Sequence, residues 1–289
     1  MSQTLTEINS QPELWESVPE IALVKTGKIA VVGCGTSWFM AQAYCSWRTQ
    51  KTGEISHAYT ATEFPLSEPY DHVILLSRSG TTTEIIDLAK KLQDLGTPTT
   101  LITAVSPGPA TPFVGREIVL ANADETSVVQ TRFATTALAY MLSTLGFDTA
   151  SAAADCRTAL EIEIPQRWID AEQISFLGTG WTIGLANEAA LKLREASQSW
   201  TEAYPAMEYR HGPISIAQPG RLTWVFGQAP KGLAQQVEKT GAEFITSDLN
   251  PLAHLVLAQR LAVARAEARG LNPDTPRHLT RSVILPEDH

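Results

Sequence analysis

Leu76-Ser77-Arg78-Ser79-Gly80-Thr81-Thr82-Thr83-Glu84 packs five hydroxyls and an arginine into a glycine turn. Such a turn at a helix start suits a phosphate: exposed N–H groups and the positive end of the helix dipole favour an anion, and hydroxyls satisfy phosphate oxygens without net positive charge. The same residues also fit an N-cap, with Ser79 or Thr81 serving the first-turn amides and Glu84 completing a capping box. The two readings are compatible. Gly33-Cys34-Gly35-Thr36 could begin a dinucleotide fingerprint, but Trp38 stands where the third glycine belongs and would hold helix and strand apart.

Farther along, Glu188, Lys192 and Glu195 fall at i, i+4 and i+7, so one helix face presents carboxylate, ammonium, carboxylate. That spacing also describes an ordinary solvated Glu–Lys pair. A buried carboxylate beside such a lysine is a tunable base, since desolvation raises its pKa and the ammonium lowers it. Tyr209-Arg210-His211-Gly212-Pro213 places an imidazole before a Gly-Pro turn, a position open to a proton-transfer role or to a plain surface histidine.

Alternating elements must position these groups. Strands are predicted at 28–33, 72–76, 99–103 and 118–120, and helices near Pro12 to Val18, from Ser37, at 82–95 and at 131–145. The alanine-rich stretch Thr149 to Asp155, followed by Pro165, reads as a domain junction. Beyond it come strands at 174–177, 222–226 and 243–245 and helices at 182–199, 232–240 and 252–269. The expectation is an α/β chain of two tandem units, 1–155 and 156–289, each a parallel sheet flanked by helices. Val32-Gly33-Cys34-Gly35-Thr36 and Leu177-Gly178-Thr179-Gly180-Trp181 both join a strand to a helix, which points to duplication. The proline-bearing stretch from Leu271 to His289 reads as a tail.

The 289 residues suffice for two such cores, and a formal charge of -9 leaves no broad cationic surface for nucleic acid. Cys34, Cys45 and Cys156 are odd in number and lack metal-ligand spacing, so reduced thiols, no metal and a cytoplasmic setting are expected. A polar start and the lack of ~18 consecutive apolar residues exclude a membrane partner.

Together the motifs Gly33 to Ser37, Ser77 to Thr82, Glu125 to Thr131, Asn187 to Glu195, Glu202-Ala-Tyr204, Glu208 to Pro213 and Asn272 to Ser282 resemble the sugar isomerase (SIS) superfamily. The similarity is to its double-SIS phosphosugar isomerases, including the isomerase half of glucosamine-6-phosphate synthase. That resemblance implies a sugar 6-phosphate held by Ser77, Ser79 and Thr82 with Thr36 and the Arg78 backbone, and a sugar lined by Val128 and Gln130. It implies Glu195 as the base between C1 and C2, Glu188 and Lys192 as supports for the reacting end, and His211 as the ring opener. It also implies a homodimer in which His211 reaches the partner's site and a C-terminal tail that folds over the ligand. No cofactor is needed, because a carboxylate can move a proton beside a carbonyl or imine unaided.

Two departures shape the expected activity. The chain starts Met1-Ser2 rather than with a nucleophilic cysteine, so no use of glutamine is expected. Arg281 stands where the synthase pattern has an imine-forming lysine, and arginine cannot form that imine. The expectation is a hexosamine 6-phosphate deaminase/isomerase, similar to the amino-sugar deaminase and tagatose-6-phosphate isomerase branches. The alternatives are a fructosamine-6-phosphate deglycase and a non-catalytic phosphosugar sensor.

Overall fold

The computed structural model describes residues 2–286; Met1 and the last three positions of the predicted tail lie outside them. Two short helices open the chain, α1 (Gln3–Asn9) and α2 (Gln11–Glu16), where the sequence predicts one. Ser2 caps α1 by accepting from the Leu5 N–H at 3.3 Å, and Pro12 occupies the first turn of α2, where no intrahelical donor is required.

The first α/β unit then runs β1 (Ile29–Gly33), α3 (Thr36–Thr52), β2 (Ser56–Tyr59), β3 (His72–Leu76), α4 (Thr83–Asp94), β4 (Thr99–Thr103), β5 (Arg116–Val119) and α5 (Arg132–Ser143). Its strands pair in the order β2-β1-β3-β4-β5, and every pairing is parallel. Parallel strands need crossover helices on the sheet faces, so central strands become apolar throughout. Accordingly β1, Ile-Ala-Val-Val-Gly, is buried along its whole length.

Next come α6 (Thr149–Glu161) and α7 (Gln166–Ile169). The stretch read as a junction is thus the body of a helix, and the 155/156 division falls inside it. Alanine is the best helix former, and Asp148 supplies the cap by accepting from the Ser151 N–H at 2.9 Å. α6 packs on α2 and on the last helix of the chain.

The second unit comprises β6 (Gln173–Gly178), α8 (Thr182–Ser197), β7 (Thr201–Pro205), β8 (Arg221–Phe226), α9 (Leu233–Glu238), β9 (Glu243–Ile245) and α10 (Pro251–Ala268). Its parallel sheet is ordered β7-β6-β8-β9, which repeats the order of the first four strands of the other unit. One buried cluster takes in Val31 and Ile74 from the first sheet and Ile174 and Phe176 from the second, so the units share a core. Their first helices, α3 and α8, pack on each other. Gly184 makes the approach possible, since a Cβ there would lie 2.4 Å from the Phe39 carbonyl oxygen. No helix among the described residues is long and apolar enough to cross a membrane.

Candidate active site

A sheet of this strand order has its topological switch point between the carboxyl ends of β1 and β3, where open α/β folds form their crevice. A cavity occupies that position. Cys34 to Ser37 line it from the end of β1, and Leu76 to Ser79 with Thr82 from the end of β3. Thr82 is the N-cap of α4 but makes no side-chain capping bond. Ser79 instead closes a local turn, its Oγ accepting from the Thr81 N–H at 3.2 Å and the Thr81 hydroxyl at 2.8 Å. The capping-box reading therefore does not describe this turn. The Arg78 carbonyl is anchored to β4 through the Ala104 N–H at 3.0 Å and the Thr103 hydroxyl at 3.1 Å.

The second unit enters the same cavity through α8, because Glu195 is one of its lining residues. Its side chain is 19% exposed and ion-paired with Lys192, whose own side chain is 1% exposed. The Lys192 ammonium also donates to the Thr36 hydroxyl at 2.9 Å, which ties α8 to the start of α3. Glu188 lies one turn deeper at 3.5 Å from Lys192 and is fully buried. Burial pushes the Glu188 carboxyl up to about 8; the Lys192 charge works against this and the Glu195 charge adds to it. At neutral pH Glu188 is then mostly protonated, and Lys192 is balanced by Glu195. Burial works to lower the Lys192 pKa, but the neighbouring carboxylates outweigh it and the ammonium is held.

The third wall is the loop between β5 and α5. Val128 and Gln130 line the cavity, and the Gln130 Nε2 is buried without a hydrogen-bond partner. Glu125 anchors the loop's far end by accepting from the Arg132 N–H at 2.7 Å and the Thr131 hydroxyl at 3.0 Å. Burial raises its pKa, with Arg78 and the Thr131 donors opposing. The tail forms the last wall, with Leu279 to Val283 facing the space. It is held by Ser282 on Thr81 at 2.8 Å and by the Thr83 N–H donating to the Val283 carbonyl at 3.2 Å.

Among the residues expected from the sequence, the structure thus brings Thr36, Ser77, Arg78, Ser79, Thr82, Val128, Gln130, Glu195 and Arg281 to one cavity. Lys192 and Glu188 lie behind Glu195. Three of these side chains are engaged within the chain. The Thr36 hydroxyl serves Lys192. The Arg78 guanidinium turns from the turn toward Glu125 at 3.4 Å, the Ser127 carbonyl at 3.2 Å and the Arg281 carbonyl. The Arg281 guanidinium pairs with Asp124 and donates to the Glu125 carbonyl at 3.0 Å, so it fastens the tail. His211 ends a one-turn helix at Glu208–His211 and is exposed; within one chain it is not brought to the cavity. Glu7 and Asp274, which hold the third wall, carry no local sequence signal, because their contacts span more than a hundred residues.

Comparison with known proteins agrees with this architecture. The SIS domain family matches residues 22–145. The glutamine–fructose-6-phosphate aminotransferase [isomerizing] of Xylella fastidiosa is 27% identical over 89% of this chain and 52% of its own length. That of Sulfolobus acidocaldarius is 27% identical over 90% of this chain and 50% of its own. The chain spans about half the length of these relatives. In fold it is similar to glucosamine-6-phosphate deaminase from Thermotoga maritima, with TM-score 0.84, 24% identity and coverage of 98% and 100% of the two chains. It is also similar to tagatose-6-phosphate ketose/aldose isomerase from Escherichia coli, with TM-score 0.80, 19% identity and coverage of 99% and 98%. The chain therefore carries a SIS domain at residues 22–145, followed by a second parallel α/β unit that completes the cavity.

Proposed function

We propose that this protein converts a hexosamine 6-phosphate to the corresponding ketose 6-phosphate, with water displacing the amine as ammonia. One observation carries the reading: the hydroxyl turn Ser77 to Thr82 and the Glu195 carboxylate line a single cavity. The phosphate is assigned to Ser77, Ser79 and Thr82 at the start of α4, where Thr82 makes no side-chain capping bond and the helix dipole favours an anion. Gln130 offers a free amide donor to the sugar.

With the phosphate so placed, the far end of a hexose extends toward α8. Glu195 takes the proton from C2 of the open-chain sugar and delivers it to C1, passing through an enolamine that is hydrolysed after tautomerisation. Lys192 holds the carboxylate in place, and protonated Glu188 leaves that ammonium free to serve Glu195. A positioned acid–base group of this kind contributes about 10²–10⁴-fold. We assign His211 to ring opening in the cavity of a second copy, since it is exposed and outside its own chain's cavity. The second unit is a diverged SIS copy on this reading, supported by its shared strand order.

Incubation with glucosamine 6-phosphate and with galactosamine 6-phosphate tests the proposal. Release of ammonia together with a ketose phosphate is expected from one or both. Neither product from either substrate overturns it.

A further inference from the structure

The loop that presents Val128 and Gln130 is clamped from two sides by buried carboxylates. Glu125 takes the amides of Thr131 and Arg132 at its far end. At its near end the clamp comes from α1: Glu7 accepts from the Thr126 N–H at 2.6 Å and the Ser127 N–H at 3.3 Å, and the Ser127 hydroxyl donates to its other oxygen. Glu7 is itself fully buried. The Val128 N–H between the clamps donates to the Asp274 carbonyl at 3.0 Å. The Asp274 side chain in turn locks α1 by accepting from the Gln3 N–H at 2.9 Å and from the Thr4 N–H and hydroxyl at 2.7 Å. Amides of a loop without sheet or helix partners find their acceptors in side chains or in water. Here one distant carboxylate satisfies those just before the cavity wall.

We infer that Glu7 is a positioning residue, fixing residues 126–127 so that Val128 and Gln130 face the sugar portion of the ligand. The inference rests on the phosphosugar reading above. The phosphate turn shares this support only through the Arg78 side chain, which donates to the Ser127 carbonyl at 3.2 Å; its backbone is anchored on β4 through Ala104 and Thr103. Loosening the loop therefore acts on the sugar end and spares the phosphate end. Glutamine at position 7 keeps the shape and can keep its partners, the Ser127 hydroxyl turning its proton to the Val129 carbonyl at 3.0 Å, but it takes the negative charge from the acceptor of the two loop amides and so weakens both bonds.

The test uses the full chain and calorimetric titration with fructose 6-phosphate, with inorganic phosphate measured as its competitor. Glu7→Gln is expected to weaken fructose 6-phosphate by roughly tenfold, as turning two charge-assisted hydrogen bonds into neutral ones does, while phosphate stays within about twofold of wild type. Ser127→Ala, which removes the hydroxyl arm and leaves the backbone arms, is expected to show the same split at about threefold. It carries the test alone if Glu7→Gln does not fold. Equal weakening of both probes, or no change in either, overturns the positioning role. A wild-type protein on which the two probes do not compete overturns the phosphosugar reading itself, and is distinguished by failing before any substitution is made.

Discussion

The two α/β units share a strand order and differ where that order reverses. Both need glycine at the end of the first strand: a Cβ on Gly33 would lie 2.6 Å from the Ser37 carbonyl carbon, and one on Gly178 2.3 Å from the Thr182 carbonyl oxygen. The backbone device is common, and the side chains diverge. In the first unit the crevice between β1 and β3 is open and lined by hydroxyls. In the second, Thr182 bridges the ends of β6 and β8 by accepting from the Thr179 N–H at 2.8 Å and donating to the Phe226 carbonyl at 2.9 Å. Topology supplies the same switch point twice, and the side chains placed there differ. The second unit contributes to the cavity through the face of α8 instead.

That contrast can be broken by substitution, beginning with the residue that should matter most. Glu195→Gln is expected to lower turnover by about 10²–10⁴-fold while hexose 6-phosphate still binds, measured by ammonia release and by titration. Lys192→Met leaves Glu195 without its cation at the junction of the units. Removing one partner of a buried pair costs about 3–5 kcal/mol, which denaturant unfolding should detect along with lost turnover. Ser77→Ala is expected to weaken phosphate binding about tenfold or more with little change in melting temperature. Thr182→Val, at the second unit's counterpart of Ser37, should do the reverse: unchanged affinity and a stability loss of about 1–3 kcal/mol. Equal behaviour of those two variants would erase the distinction between the crevices.

A further effect concerns pH. Glu188 is raised to about 8 in the folded chain, above its unfolded range, so the folded state binds the extra proton between those values. Stability therefore falls as pH rises from about 5 to 8. Glu188→Gln removes that dependence, and its melting temperature relative to wild type should climb across the same interval. A constant difference across that interval contradicts a protonated Glu188.

Much of this was legible in the residues themselves. His72–Leu76, Thr99–Thr103 and Glu243–Ile245 are strands with the predicted bounds, the first two because buried central strands are continuous apolar or β-branched runs. β2 and β7 escaped notice for the opposite reason: Ser56–Tyr59 and Thr201–Pro205 are half-exposed edge strands, with little of the pattern that burial on two faces imposes. α6 was mistaken for a junction because its alanines carry no strong periodicity. At the site, the hydroxyl turn is local and could be read from spacing. The Glu188, Lys192 and Glu195 face cannot be told from a solvated helix pair, since its burial comes from the tertiary packing of α8, on α3 among other elements. Glu7 was invisible, as it meets its loop partners 119 and 120 positions away.

The most direct measurement is a crystal structure of the full chain with a bound hexose 6-phosphate. The account predicts phosphate oxygens within hydrogen-bond reach of Ser77, Ser79 and Thr82, and the Glu195 carboxylate beside C1 and C2 of the same molecule. Phosphate seated at the 178–182 turn of the second unit, or a sugar whose C1 and C2 lie away from Glu195, would contradict it.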